Sequence, residues 1–151
     1  MNLINKSIIP TEKLQKLLYF AAGKNKIDCD VTVKNCKHSF DCDFHYSMSG
    51  PDRYYIILRF GGVDFFPLEV ELTNNQIKKG YDGYYYFDNL EECIVSGSAH
   101  EFQHYKQFQS PVKRGWLRDK DPRAEKYADK AALKVLEDYR EKIKENPSYF
   151  D

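Results

Sequence analysis

The sequence carries no net charge and contains no long apolar run. Its 151 residues include 23 basic and 23 acidic side chains, so no overall electrostatic field attracts nucleic acid or an anionic membrane surface. No segment approaches the roughly 18 uninterrupted apolar residues of a transmembrane helix, and residues 1–10 lack the apolar core of a signal peptide. We therefore expect a cytoplasmic protein that binds neither nucleic acid nor membrane.

Cysteine is also scarce, with four residues in the chain. That number is too small for a disulfide scaffold at this length, so we expect reduced thiols. Aromatic residues are abundant, with 12 Tyr and 10 Phe, and the hydrophobic fraction of 42% is typical of a folded globular protein. The length suits one domain with a sizeable core, and we predict a single domain over residues 1–151.

Hydrophobic periodicity predicts a helix followed by a sheet in the first part of the chain. Apolar residues at helical spacing indicate a helix over residues 11–24, capped by Thr11 and ended near Gly23. Alternating patterns then predict strands, the strongest at residues 54–60 and others at residues 30–34, 36–44, 63–72 and 81–87. Turn-forming residues separate these strands at residues 49–52, 61–62 and 74–75.

After Asp88 the periodicity becomes helical. We predict one helix from Asn89 to about Gln109, capped by Asp88 or Asn89, and a polar link over residues 110–121. Asp121 followed by Pro122 is typical of a helix start, and the last helix runs to about Glu145. The predicted fold class is α+β.

The helix from Asn89 contains the sequence His100-Glu101-Phe102-Gln103-His104, which is an H-E-x-x-H motif. At about 100° per residue, His100 and His104 lie on one face one turn apart, where both imidazoles can bind one Zn²⁺. Glu101 projects beside them and is placed to act as a general base. The alternative is that two histidines of an amphipathic helix make ordinary hydrogen bonds.

Core residues and small residues occupy the rest of this helix. The residues expected to face the core are Ile94, Val95, Ser98, Phe102 and Tyr105. The small residues 96–99 lower helix propensity, which suggests close approach of a strand or a ligand.

A catalytic zinc takes three protein ligands, so a third donor is required. A metzincin would have Gly three residues after His104 and His six residues after it, whereas this chain has Gln107 and Ser110. No histidine follows His104. The third ligand is therefore a carboxylate or lies upstream.

Glu125 and Asp129 lie one turn apart near the start of the last predicted helix. They could be a solvated acidic pair. Together with H-E-x-x-H, however, this E-x-x-x-D pattern resembles the gluzincin zinc metallopeptidases over roughly residues 89–135. The resemblance implies that Glu125 is the third zinc ligand and that Asp129 is the second-shell carboxylate that holds a ligand histidine.

The short chain resembles the small single-domain gluzincins, the minigluzincins, and is also similar to the small cytoplasmic peptidases that cleave repressors in mobile elements; the sequence does not separate the two groups. This resemblance implies a zincin-like fold with an N-terminal helix, a small, mostly antiparallel twisted sheet, an active-site helix and a C-terminal helix that carries the glutamate ligand.

The implied activity is that of a zinc endopeptidase acting on a protein or peptide substrate. Zn²⁺ would be held by His100, His104 and Glu125, with one position left for a water molecule from which Glu101 takes a proton. The resemblance implies a further oxyanion donor, for which the downstream tyrosines are Tyr127, Tyr139 and Tyr149. Arg114, Trp116 and Arg118 of the polar link could border the cleft, and substrate could align along residues 81–87.

Two other functions stay open from the sequence. The first is a non-catalytic binding or regulatory protein with a zincin-like fold, and the second is a zinc hydrolase of a non-peptide amide or ester. A terminal segment such as residues 146–151 could block the site. Cys36, His38, Cys42 and His45 lie close together in sequence, but their spacing matches no common zinc finger or ribbon, and buried strand residues are the expected alternative.

Overall fold

Helices and two small sheets make up the described part of the molecule. The computed structural model describes residues 1–36, 41–46, 54–60, 66–71 and 84–151. The strands within these ranges are β1 (Asn2–Lys6), β2 (Asp30–Asn35), β3 (Asp41–Tyr46), β4 (Tyr54–Phe60), β5 (Leu68–Glu71) and β6 (Tyr84–Phe87). The helices there are α1 (Thr11–Ala22), α2 (Leu90–Gln109), α3 (Arg114–Arg118) and α4 (Pro122–Glu145). The described part of the fold contains both helices and strands, as the sequence predicted.

The first strand lies in a segment for which the sequence analysis predicted no helix or strand. β1 pairs in parallel with β2, with Leu3 opposite Val31 and Asn5 opposite Val33, and α1 is the connection between the two strands. Five residues of partial alternation are too few to stand out by periodicity alone. The pairing with β2, which lies distant in sequence, is what makes this segment a strand.

The four-stranded sheet has the order β1-β2-β4-β3. β2 also pairs in parallel with β4, whereas β3 runs antiparallel to β4. The prediction of a mostly antiparallel sheet was therefore wrong for this sheet, because a helical crossover such as α1 returns the chain in the parallel direction. β5 and β6 form a separate antiparallel pair.

One face of the four-stranded sheet packs against the helices. Its fully buried side chains are Val31, Val33, Ile56, Leu58 and Phe60. The helices contribute to the same core with Leu14, Leu17 and Leu18 of α1 and Ile94, Val95 and Phe102 of α2. The alternation read from residues 54–60 and 30–34 thus identified the strand face that the helices cover.

Helix ends follow local chemistry at most of the predicted positions. The Asn89 side chain accepts a hydrogen bond from the Glu92 amide, and Asp121 accepts one from the Arg123 amide ahead of Pro122. The N-cap of α1 is Pro10 rather than Thr11. The Thr11 hydroxyl instead accepts a hydrogen bond from the Asn5 amide at 3.1 Å. The predicted start of α1 was wrong by one residue, because a contact with Asn5 of β1 engages the hydroxyl.

A short helix interrupts the predicted polar link, since α3 occupies residues 114–118. No described helix has the combination of length and hydropathy needed to span a membrane.

Several predicted features lie outside the described residues. They are the turns at residues 49–52, 61–62 and 74–75, together with parts of the strands predicted at residues 36–44, 63–72 and 81–87.

An ion pair between a buried carboxylate and a partly exposed arginine fastens the first turn of α2 to α4 and β6. Arg140 donates hydrogen bonds to both carboxylate oxygens of Glu92, at 2.8 and 2.7 Å, and to the Tyr86 carbonyl at 2.5 Å. Glu92, which is 4% exposed, also accepts a hydrogen bond from the Asp88 amide at 2.9 Å. The carboxylate is therefore fully partnered, as a buried charge requires.

Replacing Arg140 with Met should lower the free energy of unfolding by about 3 kcal/mol, because it leaves the Glu92 carboxylate buried without its partner. The matched control is Lys134→Met, which breaks the exposed pair between Lys134 and Asp138 on the same helix and should cost less than about 1 kcal/mol. Urea denaturation of both variants measures the difference. Equal losses in the two variants would contradict the structural role assigned to the pair of Arg140 and Glu92.

Candidate metal centre

The packing of α2 along α4 brings the two sequence motifs together. His100 Nε2 and His104 Nε2 lie 3.1 Å apart. The Glu125 carboxylate faces both, with Oε2 at 3.3 Å from His100 Nε2 and Oε1 at 3.2 Å from His104 Nε2. The three residues predicted as zinc ligands therefore present their donor atoms to one point.

These separations suit a tetrahedral metal ion. Two donors that each lie about 2.0–2.1 Å from a tetrahedral zinc stand about 3.3–3.4 Å apart. The observed distances of 3.1, 3.2 and 3.3 Å lie close to that value. Two imidazoles and one carboxylate are also a donor set that zinc accepts at catalytic sites. The residues present thus fit the metal that the sequence predicted.

Each imidazole has a further partner on its other ring nitrogen. His104 Nδ1 lies 3.0 Å from Gln107 Oε1, and the Gln107 amide nitrogen donates to the Ala124 carbonyl at 2.9 Å. His100 Nδ1 lies 3.5 Å from Asp129 Oδ1, and Asp129 is 8% exposed. Acceptors at both Nδ1 atoms favour the tautomer whose Nε2 lone pair is free to bind a metal.

Gln107 is a site residue that the sequence did not reveal. It is fully buried and joins His104 of α2 to the first turn of α4. The available signal was its position one turn after His104, on the same side of the helix. A buried amide that joins the His104 side chain to a backbone carbonyl of α4 cannot be recognised from spacing alone, because the Ala124 carbonyl reaches it only in the folded chain.

Glu101 lies beside the donor cluster, buried at 4% exposure, and lines the same cleft. Burial raises the pKa of its carboxyl to about 7, against the lowering effect of His100, His104 and a hydrogen bond from the Phe44 backbone. Burying the Glu101 carboxylate here therefore costs desolvation free energy. The hydrogen bond from the Phe44 backbone of β3 offsets only part of that cost.

Hydrogen bonds within the cluster shift the pKa values of Glu125 and His104 in opposite directions. Hydrogen bonds from His100 and His104 hold the pKa of Glu125 well below its usual range. Burial lowers the pKa of His104, but hydrogen bonds with Glu125 and Gln107 outweigh it, so the pKa is raised. A divalent cation bound by the same three side chains would replace the N–H protons directed at Glu125.

A cleft of about 450 Å³ opens at the cluster between β3 and the segment that contains α3. Residues of β3 form one wall, namely Cys42, Asp43, Phe44 and Tyr46. The other wall consists of Trp116, Leu117 and Lys120. The Tyr46 hydroxyl donates to the Leu117 carbonyl at 3.1 Å and so joins the two walls.

The described strand that lines the cleft is β3, which lies at the edge of the sheet among the described strands. Of the segment at residues 81–87 that the sequence suggested for substrate alignment, residues 81–83 lie outside the described part. Proximity in sequence favoured residues 81–87, whereas sheet order brings β3 to the face of α2 that carries the two histidines.

None of the three downstream tyrosines lines this cleft. Tyr127 stacks on Trp116 at 5.7 Å between ring centroids. Tyr139 is buried in the core, where it packs at 5.1 Å from Phe150, and Tyr149 packs on Phe150 at 4.8 Å. The tyrosine that lines the cleft is Tyr46, which lies upstream of the motif and was not predicted.

The C-terminal segment does not block the cleft. Phe150 is 2% exposed and packs at 5.3 Å from the Phe20 ring, while Asp151 pairs with Lys13. The hypothesis that residues 146–151 occlude the site was therefore wrong for this structure, because an apolar side chain anchors them to the core.

Of the polar link, Trp116 borders the cleft, but Arg114 and Arg118 do not line it.

A second zinc site gains no support from the described residues. His38 lies outside them, and the one group that could hold a metal among them is that of His100, His104 and Glu125. His45 stacks on the Tyr55 ring at 4.7 Å, whereas burial raises the pKa of the Cys42 thiol well above its ordinary value. A neutral thiol is a poor zinc ligand.

The chain matches no protein-family model, and no curated protein or solved structure is significantly similar to it. The gluzincin resemblance is therefore one of local motifs.

Replacing Gln107 with Leu should reduce zinc affinity about 10- to 100-fold, the range expected when the outer partner of a ligand histidine is lost. Leu fills a similar volume but cannot accept from His104 Nδ1. Competition with a fluorescent chelator measures the affinity. Gln109→Leu, at an exposed site on the same helix, is the matched control and should bind zinc as wild type does. Unchanged affinity in the Gln107 variant would contradict the positioning role.

Proposed function

We propose that this protein is a zinc-dependent endopeptidase of the gluzincin type with a zincin-like fold. The observation that carries the proposal is the convergence of His100, His104 and Glu125 on one point with the buried carboxyl of Glu101 beside them. Zinc bound there supplies Lewis acidity, which lowers the pKa of water and polarises a carbonyl oxygen.

Glu101 has the role of general base in this proposal. Its carboxylate takes a proton from the attacking water and delivers it to the departing amine. Glu101 follows a ligand histidine directly, so its side chain flanks the cluster without belonging to it. The hydrogen bond from the Phe44 backbone orients the carboxylate towards the cleft side of α2. The Asp129 and Gln107 side chains hold the two imidazoles in the metal-binding tautomer.

The walls of the cleft favour a peptide substrate. An extended peptide can add to the edge of a sheet through its backbone hydrogen bonds, and β3 provides such an edge among the described strands. The opposite wall, with Trp116 and Leu117, offers apolar surface for substrate side chains. None of the four cysteines forms a disulfide, and the proposed place of action is a reducing cytoplasm.

A non-catalytic role would leave Glu101 unexplained. A structural zinc site is usually closed by four protein ligands, whereas three donors converge at this cluster among the described residues. Burying one more carboxyl beside it costs free energy and adds no ligand. This combination favours an enzyme over a regulatory protein that merely retains the metal.

The deciding experiment combines metal analysis with Glu101→Gln. We expect wild type to carry about one equivalent of zinc and to cleave a denatured protein. The Gln variant should retain zinc and lose at least about 100-fold in rate, since it can no longer accept a proton. Mass spectrometry quantifies the metal, and release of new amino termini quantifies cleavage.

Glu141→Gln provides the matched control, because it makes the same change at an exposed site on α4. It should cleave at the wild-type rate. Wild-type protein that binds no zinc at neutral pH would refute the proposal, and so would a Glu101 variant of full activity.

A further inference from the structure

The residue Lys120 adopts a backbone conformation that usually belongs to glycine. Its φ of 50° is the one positive value at a non-glycine residue within the described ranges. The Asp121 amide donates to the Trp116 carbonyl at 2.8 Å, and the Lys120 amide donates to the Leu117 carbonyl at 3.3 Å. These two bonds define a Schellman motif at the end of α3, with Lys120 at the left-handed position.

A lysine at this position is disfavoured on backbone grounds. Glycine adopts the left-handed conformation without strain, whereas any L side chain brings its β-carbon close to the backbone. Strained residues of this kind persist where the surrounding structure holds them, and they concentrate at functional sites. The strained backbone of Lys120 therefore suggests a functional role for its side chain.

Lys120 lines the metal cleft as an uncompensated cation. Its ammonium group makes no hydrogen bond or ion pair within the part of the chain that the structure describes. The charges beside it in sequence neutralise one another, because Arg118 pairs with Asp119 at 2.7 Å and Arg123 pairs with Asp121 at 2.6 Å. Lys120 is thus the charge that this wall offers to a ligand.

No described carboxylate of the opposite wall is paired with Lys120. Asp43 of β3 shares the Arg59 guanidinium with Asp41, and each carboxylate accepts a hydrogen bond from it at 2.8 Å. Glu125 faces the two histidines rather than Lys120. An anionic ligand entering between the walls therefore meets Lys120 without displacing an existing partner.

We propose that Lys120 selects peptide substrates that carry a carboxylate next to the scissile bond. This inference rests on the proposed peptidase function. The carboxylate is either the side chain of Asp or Glu or the free C-terminus of the substrate, because both present the same oxygens to the ammonium group. Trp116 lies on the same wall and packs against the hydrocarbon part of that substrate residue.

The test uses the zinc-loaded enzyme and a peptide library in which each position is in turn Glu or Gln, with free or amidated C-termini. We expect kcat/KM to be at least about tenfold higher for peptides with the carboxylate, the factor of one hydrogen bond to a charged group. A preference for Glu in amidated peptides identifies a side chain as the source. A preference for free C-termini identifies the terminus.

Two variants test whether Lys120 causes the preference. In Lys120→Gly the ratio of kcat/KM for acidic and neutral peptides should fall to about one, while the melting temperature should not fall, because glycine removes the strain. In the control Lys24→Gln, which removes an equal charge outside the cleft, the ratio should stay as in wild type. The preference should also weaken at high salt.

Binding gives a readout that does not depend on turnover. Trp116 is the single tryptophan of the chain and lines the cleft, so its fluorescence reports peptide binding to the Glu101→Gln protein. Stronger binding of acidic peptides that is lost in the double variant with Lys120→Gly would support the inference. Equal binding and equal cleavage of acidic and neutral peptides would overturn it. Selective binding with no cleavage by wild type would instead refute the peptidase function alone.

Discussion

The pairing of α2 with α4 is the constraint on which the rest of the site depends. Two polar contacts hold these helices together near opposite ends of α2. Arg140 binds Glu92 in the first turn, and Gln107 binds the Ala124 carbonyl near the last. Because both contacts are directional, they set the position of the helices along each other more narrowly than apolar packing does. That position is what brings Glu125 within 3.2–3.3 Å of the two histidines.

The site concentrates polar groups that a stable core would exclude. Glu101, His104, Gln107 and Asp129 are all less than 9% exposed, and each lies at or beside the donor cluster. Burying such groups costs stability unless partners satisfy them. The apolar side of α2 offsets that cost by packing on the sheet and on α1. The helix therefore joins a stabilising face to one that carries the candidate donor cluster, and only the second face conflicts with the local preference for apolar burial.

Prediction from the sequence succeeded where short-range periodicity or capping determines the outcome. β4 has the predicted bounds, and Asn89 and Asp121 cap their helices as expected. It failed where the structure depends on pairing between strands that are distant in sequence. β1 is a strand because β2 lies beside it, and the parallel direction follows from the crossover through α1. The identity of the cleft strand was missed for the same reason, since sheet order rather than sequence distance puts β3 next to α2.

The sequence by itself determined which side chains share a helical face, because the α-helical repeat places His100 and His104 one turn apart whatever the rest of the chain does. The same repeat places Glu125 and Asp129 one turn apart on α4, and the resemblance to the gluzincins pointed to them as site residues. Only the tertiary structure decided that the two faces meet, that Gln107 supports His104, and that Lys120 borders the cleft. These contacts join residues from different elements, and their distances depend on how those elements pack, which no local repeat encodes.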